Sequence, residues 1–281
     1  MFVQFQNMTQ TTSAKVPLGI AQIGKSFRNE IVVEHFIFRS CEFEQMEMEF
    51  FCEPGTEKQW MNFWKEERLS WHRKFSNCPE NYRLRAHEED ELAHYSDQCF
   101  DIEYKYPWGW DELEGVASRT DYDLKKHAEG SGVKLSYFDP KAKDPKTGKM
   151  GRRYVPYVIE PAAGLTRMVL STLLDAYSEE TSVDAKGVEK TRVVLKLHPR
   201  LSPIKVAVLP LIKKEEFIKI AKKIADDLRK VGLKTVCDET ASIGKRYAKH
   251  DEIGTPICIT VDSETFSDGK VTIRDRDTTQ Q

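Results

Sequence analysis

No apolar run in this sequence approaches the roughly 20 residues needed to cross a bilayer as a helix, so a membrane role is not expected. The first ten residues, MFVQFQNMTQ, lack a basic region followed by a long apolar core and do not read as a secretory signal. Cysteines 41, 52, 78, 99, 237 and 258 include neither a CxxC pair nor a compact Cys/His cluster. That argues against a structural zinc site and for a reduced, cytoplasmic protein. Excess positive charge is lacking too: 43 Lys and Arg against 45 Asp and Glu leave a net charge of −2, so any RNA contact must come from local basic patches. No internal repeat or extended low-complexity tract is present.

What is there suits a globular chain of two domains. At 281 residues the sequence exceeds the usual single-domain size, and 40% hydrophobic with 31% charged residues is an ordinary soluble balance. Residues 31–51 are rich in β-branched and aromatic side chains, and CEFEQMEMEF alternates apolar with polar at a period of two, a strand signature. After Pro54-Gly55, Thr56 and Gln59 have capping-box spacing, and Trp60, Trp64, Trp71 and Phe75 recur at helical steps. A long amphipathic helix is expected there, its aromatic rings packed on a sheet.

Residues 139–153, DPKAKDPKTGKMGRR, read as an exposed loop. VPYVIEP reads as a strand running into a helix with Leu165, Met168, Val169, Thr172, Leu173 and Ala176 on one stripe. SEETSVDAKGVEKT reads as a polar surface connection. Beyond His198-Pro199 follow a strand (KVAVLPL), a helix (KEEFIKIAKKIADDLRKVG), a strand (KTVCDE), a basic Gly-containing turn (SIGKRYAKHDEIGTP) and a strand (ICITVD). A small α/β domain over 198–281 is expected to follow a first domain over 1–197.

Gly19-Ile20-Ala21-Gln22-Ile23-Gly24-Lys25-Ser26 satisfies the phosphate-loop pattern GxxxxGK[ST]. Such a loop must follow a buried strand and open a helix, and neither neighbour fits, so a P-loop NTPase stands only as an alternative.

Three further segments combine charge with strand context: FRNEIVVEHFIFRSCEFEQMEMEF, WDELEGVASRTDYDLKKH and YVIEPAAGLTR. In the first, hairpin-like, an Arg-Asn-Glu triplet ends one strand and an acid-rich strand begins after a loop. A guanidinium such as that of Arg28 can clamp a phosphate through bidentate hydrogen bonds. Taken singly, Arg28, Glu47 and Arg119 could be solvated or structural ion pairs, and the glutamates the wet face of an antiparallel strand. Their ordered conjunction points to a site.

The first segment resembles motif 2 of class II aminoacyl-tRNA synthetases and the third resembles motif 3. More narrowly, GIAQIGKSFRNEI with EFEQMEMEFF is similar to glycyl-tRNA synthetases of the dimeric bacterial and eukaryotic type, and the likeness continues through DETASIGKRYAKHDEIGTP and DGKVTIRDRDT. The resemblance implies an α+β class II synthetase core on an antiparallel sheet, followed by a small α/β anticodon-binding domain. It implies ligation of glycine to glycine tRNA with ATP and magnesium, through glycyl-adenylate, in the cytoplasm and without zinc or DNA.

By the same resemblance Arg28 lies at the α-phosphate, with Asn29, Glu30, Phe38 and Arg39 in the ATP-binding stretch and Phe43 stacked on adenine. Glu112, acting through magnesium, and Leu113 make another ATP contact; Gly164, Leu165, Thr166 and Arg167 lie at the nucleotide, with Arg28 and Arg167 catalytic. Glu47 and Glu160 match the ammonium ligands and Arg119 the carboxylate ligand of glycine, flanked by Phe43, Glu44, Gln45, Met46, Pro161, Ala162, Ala163 and Gly164. Larger amino acids would be refused by steric conflict and unpaired buried charge. Lys245, Arg246 and Lys249, with His250, form a basic patch for RNA phosphates.

The family's N-terminal portion with motif 1, which builds its homodimer interface, a segment resembling RPETAQG, and a closing C-terminal helix are not in this sequence. A fragment or incomplete gene product is expected. Cys41 stands where the family commonly has arginine and Ala162 where it commonly has serine, changes expected to weaken substrate binding. The competing reading is a synthetase-like RNA-binding or accessory protein that has lost catalysis.

Overall fold

The computed structural model describes residues 1–94, 96–145, 147–183, 187 and 189–281. They form two compact units, one of Met1–Lys74 with Pro79–Ser171 and one of Phe75–Cys78 with Thr172–Gln281. No helix among the described residues is long and apolar enough to cross a membrane.

In the first unit, α1 (Phe5–Thr11) precedes β1 (Leu18–Phe27) and β2 (Glu42–Cys52), then α2 (Glu57–Lys74), β3 (Tyr82–Ala86), β4 (Gln98–Tyr106) and β5 (Gly109–Thr120). α3 (Tyr122–Ser131), a hairpin of β6 (Tyr137–Lys143) and β7 (Met150–Tyr154), and β8 (Tyr157–Gly164) follow, and β8 runs directly into α4 (Leu165–Ala176). Six strands make one sheet in the order β1-β2-β8-β5-β4-β3, every pairing antiparallel.

The period-two pattern of β2 resolves into two faces of this sheet. Met48, Phe50 and Cys52 pack with Val116, Ile159 and the α2 residues Trp60, Met61 and Trp64. Phe51 turns the other way, into a cluster with Phe5, Leu124 and Val158. On that second face, two and four residues back along the strand, lie Glu49 and Glu47. A charged clamp also ties α2 to the sheet: Glu114 of β5, 2% exposed, accepts hydrogen bonds from Arg68 Nε at 2.6 Å and Nη2 at 3.0 Å and pairs with His72 Nε2 at 2.7 Å.

Several expectations need correction. Only 42–52 of the apolar stretch 31–51 is strand; residues 28–41 form the β1–β2 loop, held by His35 stacked 3.9 Å from Trp108 and by Phe38 edge-on to Tyr106 and Trp108. Ile31, Val32 and Val33 are exposed, so their β-branched character reflects no buried face. The capping box gives way to a different arrangement, in which the Thr56 hydroxyl donates to the Glu53 carbonyl at 2.7 Å and the Gly55 N–H donates to Glu57. Trp60 and Trp64 do pack on the sheet, whereas Trp71 lies under the Arg68 guanidinium and Phe75 sits in the second unit, edge-on to His198. Residues 139–153 are mostly the β6–β7 hairpin, with Lys146 outside the described residues.

The second unit opens with the hairpin of β9 (Tyr177–Val183) and β10 (Glu189–Leu195), where a polar connection was expected; 184–186 and 188 lie outside the described residues. Then come β11 (Val206–Pro210), α5 (Glu215–Lys230), β12 (Thr235–Cys237), α6 (Ile243–Glu252), β13 (Ile257–Val261), α7 (Thr265–Asp268) and β14 (Thr272–Asp275). Strands β12, β11 and β13 are parallel and β14 is antiparallel to β13. Phe217, Ala221 and Ala225, at helical spacing on α5, pack against Val206, Val208, Ile259 and Val261. The expected division at 197/198 falls inside this unit, between the β9–β10 hairpin and the four-stranded sheet.

Where a basic turn was expected, 243–252 is the helix α6. Gly254 just beyond it has φ +76°, and a Cβ there would come within 2.8 Å of Leu197 Cδ1 and 3.0 Å of the Leu195 carbonyl. Left-handed strain and a backbone clash combine, so Gly254→Ala should destabilise the unit by about 2 kcal/mol or more. A lowered urea midpoint would register it; an unchanged midpoint would mean the turn relaxes freely.

Candidate active site

The second face of the sheet in the first unit carries a cleft of about 360 Å³. Its walls come from the β1–β2 loop, β2, β4, β5, β8 and the start of α4, which unites the three charged segments of the sequence. The loop and the start of β2 contribute Arg28, Glu30, Phe38, Arg39 and Phe43; farther along β2 come Gln45 and Glu47. From β5 come Glu112, Leu113 and Arg119, from β8 Glu160, Ala162 and Gly164, and from α4 Thr166 and Arg167.

Other expected residues do not line it. Asn29 is exposed in the loop, and Leu165 is the first residue of α4. Glu44, Met46, Pro161 and Ala163 lie on the opposite face, because successive side chains of a strand alternate. Whole contiguous stretches were expected to contact the ligand, and the pleat allows every second residue.

At one end of the cleft, aromatic rings meet guanidinium groups. Arg167 lies 4.2 Å from the Phe38 ring centroid, its Nε donating to the Phe38 carbonyl at 3.0 Å and its Nη1 to the Glu112 carbonyl and carboxylate, each at 3.0 Å. Arg28 lies 5.3 Å from the Phe43 centroid. Flat rings beside fixed cations suit a planar base that bears phosphates.

The other end is acidic. Burial first, then the neighbouring Glu160, pushes the Glu47 carboxyl above its ordinary range. Two carboxyls in a half-buried space favour a cation between them. Arg119 Nε and Nη2 donate to Asp123 at 2.7 and 3.0 Å, and Nη1 donates to Glu160 at 3.1 Å. The carboxylate-binding role expected of Arg119 therefore belongs to a side chain already gripped by Asp123, a partner the sequence reading did not assign.

Six more wall residues went unassigned, and three of them, His87, Cys99 and Asp101, have donor atoms within 4.8 Å of one another. They come from beyond β3 and from β4, with no ligand spacing to betray them; the faint signal was the alternation of CFDIEY. His87 Nε2 hydrogen-bonds Asp101 at 2.7 Å, with Arg85 3.7 Å from the same carboxylate, so Asp101 has two side-chain partners. Burial pushes the Cys99 thiol up to about 12, so it stays protonated and is no activated nucleophile.

The phosphate-loop match fails in the structure. Residues 19–26 are the middle of β1, paired with 43–50 of β2, and Lys25 pairs with Glu42. No backbone cradle forms there. The basic patch is also smaller than expected: Arg246 is buried and donates to the Pro210 and Asp238 carbonyls at 2.8 and 2.9 Å, and His250 is 1% exposed. Lys249 is paired with Asp238 at 2.7 Å, while Lys245 is exposed. Helical periodicity turns 246 and 250 inward and 245 and 249 outward.

Comparison with known proteins agrees with this geometry. The anticodon binding domain family matches residues 205–281. The whole chain aligns with glycine–tRNA ligases of Caldanaerobacter subterraneus subsp. tengcongensis (50% identity over 281 residues, 58% of that protein), Clostridium perfringens (51% over 287 residues, 58%) and Treponema denticola (46% over 281 residues, 60%). The chain is a relative of the glycine–tRNA ligases. It spans about three fifths of the length of these curated relatives. A crystal structure of prolyl-tRNA synthetase from Cryptosporidium parvum with L-proline and AMP matches at TM-score 0.62 and 18% identity, covering 94% of this chain and 52% of that one. The fold is thus the class II synthetase core on an antiparallel sheet, followed by an α/β anticodon-binding domain, as for a glycine–tRNA ligase relative it should be.

Proposed function

We propose that the cleft activates glycine with ATP and that the chain transfers the glycyl group to glycine tRNA, as a glycine–tRNA ligase. The observation that carries this reading is the polarity of one cleft, with Arg28, Arg167 and two aromatic rings at one end and Glu47, Glu160 and Arg119 at the other. Phe43, Phe38 and Arg167 would hold the adenine and ribose, and Arg28 the α-phosphate. Glu47 and Glu160 would take the ammonium of glycine, and Arg119 would face its carboxylate. That carboxylate attacks the α-phosphate, pyrophosphate leaves, and the terminal ribose hydroxyl of the tRNA then attacks the acyl carbon. Positioning and charge stabilisation by Arg28 and Arg167 drive the first step, with no covalent enzyme intermediate.

Magnesium, when bound, would neutralise phosphate charge. Glu112, its side chain 48% exposed with Arg167 on one oxygen, fits an ion that keeps most of its water shell. Residues 198–281 would bind the anticodon, with Lys245 and Lys249 as the outward cations. A cytoplasmic location is part of the reading.

ATP–pyrophosphate exchange tests the proposal. Exchange should depend on glycine, with alanine and serine supporting it roughly a hundredfold less well, the discrimination open to a site that refuses a side chain by steric conflict. Equal exchange with all three, or ATP hydrolysis without any amino acid, would sink it. A folded chain that binds tRNA without exchange would point to the RNA-binding accessory role.

A further inference from the structure

Glu49 belongs to none of the roles above. It lies on the cleft side of β2, one step of the pleat beyond Glu47, and is 2% exposed. The β2–β8 register on either side, Glu47 opposite Ala162 and Phe50 opposite Ile159, sets Glu49 directly across from Glu160. Its buried Oε2 has no hydrogen-bond partner, and the side chain set across the strands from it is the Glu160 carboxyl. Like charges directly opposed across two strands repel, and a buried carboxylate without a donor costs more still. A single proton between the two oxygens removes both penalties. Arg119, hydrogen-bonded to Glu160 at 3.1 Å, decides where it sits and leaves the proton on Glu49.

We propose that Glu49 is a positioning residue of the ammonium site, holding a proton that it donates to Glu160. Glu160 is thereby fixed between two donors, Glu49 and Arg119, with its remaining lone pairs turned to the cleft. Without Glu49 the carboxylate would turn onto Arg119 alone. The titratable groups near this pair are Glu47 on β2, Cys99 on β4 and Arg119 on β5, the last also held by Asp123 on α3, and Arg119 donates to Glu160. Burial first, then Glu160, pushes the Glu49 carboxyl up to about 9, in keeping with a protonated group at neutral pH. The positioning role rests on the reading of the cleft as an amino-acid site; the placement of the proton does not.

Two measurements on the full chain keep these apart. The first compares the stability of Glu49→Gln with the parent across pH. A carboxyl raised in the folded state contributes stability that is complete below its unfolded value and is lost as pH rises toward the folded one. The parent's folding equilibrium should therefore fall relative to Glu49→Gln by about tenfold per pH unit between roughly 5 and 9. Parallel curves would overturn the proposal whatever the activity. The second compares glycine KM in the exchange assay. Glu49→Gln, whose amide still donates, should stay within a fewfold of the parent, while Glu49→Ala raises KM for glycine tenfold or more with a smaller change in kcat. Unchanged KM in Glu49→Ala would overturn the positioning role, as would equal damage by Gln and Ala. A parent that shows the pH slope but no glycine-dependent exchange would uphold the proton and remove the glycine reading and the positioning role with it.

Discussion

Arg167→Ala should lower glycine-dependent pyrophosphate exchange about a thousandfold or more, while Lys25→Ala leaves it within a fewfold. The guanidinium is fixed before any ligand arrives, by the Phe38 and Glu112 carbonyls and the Glu112 carboxylate, and lies 4.2 Å from the Phe38 ring centroid. A preorganised cation at developing phosphate charge contributes on the order of a hundredfold to a thousandfold, since no reorganisation is needed as the charge forms. Its removal also frees the β1–β2 loop, which Arg167 anchors through the Phe38 carbonyl and which carries Arg28 at its start, so the loss should exceed one contact. Arg167→Lys should recover little, because an ammonium cannot make the forked contacts or stack on the ring. Lys25 lies on an exposed edge strand and meets only Glu42 and the charge of Glu44. Steady-state exchange at saturating glycine, with ATP varied, separates the outcomes. Arg167→Ala retaining a tenth of the parent rate, or Lys25→Ala losing most of it, would refute the assignment of the nucleotide end.

The charged residues of the candidate site were more legible in the sequence than their arrangement. Arg28, Glu47, Arg119, Glu160 and Arg167 were legible because charge in strand context is unusual and because three segments came in a recognisable order. The alternation in CEFEQMEMEF also foretold a two-faced strand. It did not exclude Glu44 and Met46 as long as the ligand was assigned to whole stretches, although the same alternation places them on the helix-covered face. Asp123 and Glu49 were missed for a different reason. Their roles come from register and from the turn after β5, which bring charges 41 residues apart, such as Arg119 and Glu160, into contact. The basic turn, expected because Gly244 looked like a turn residue, proved to be a helix. The cost of one helical glycine, about 1 kcal/mol, is offset here by the buried face that Arg246 and His250 help to fill. Ile31–Val33 looked like a strand from propensity alone, yet propensity needs a partner strand or a core to act.

The largest loss of stability should come from a residue outside the cleft. Glu114→Ala leaves Arg68 and His72 against the sheet without their carboxylate, and breaking a buried charged cluster by removing one member costs about 3–5 kcal/mol. For a unit of this size that lowers the melting temperature by roughly 6–20 °C, at 2–4 °C per kcal/mol. Glu114→Gln keeps the shape and one acceptor and should lose less. The pH dependence gives a second check with a definite sign. Burial pushes the Glu114 carboxyl up, and the hydrogen bonds from His72 and Arg68 pull it down by more, so it ends below its ordinary value of 4.5. A carboxyl lowered in the folded state contributes stability that is complete above the unfolded value and is lost as pH falls through the folded one. Acid should therefore narrow the gap between the parent and Glu114→Gln below about pH 4.5, while base narrows the gap expected for Glu49 from the other side. The two glutamates lie on opposite faces of one sheet and differ in what meets them, an arginine and a histidine for Glu114 and another carboxyl for Glu49. If Glu114→Ala melts within 2 °C of the parent, the clamp on α2 is not what holds that helix to the sheet, and the packing of Trp60, Met61 and Trp64 must suffice.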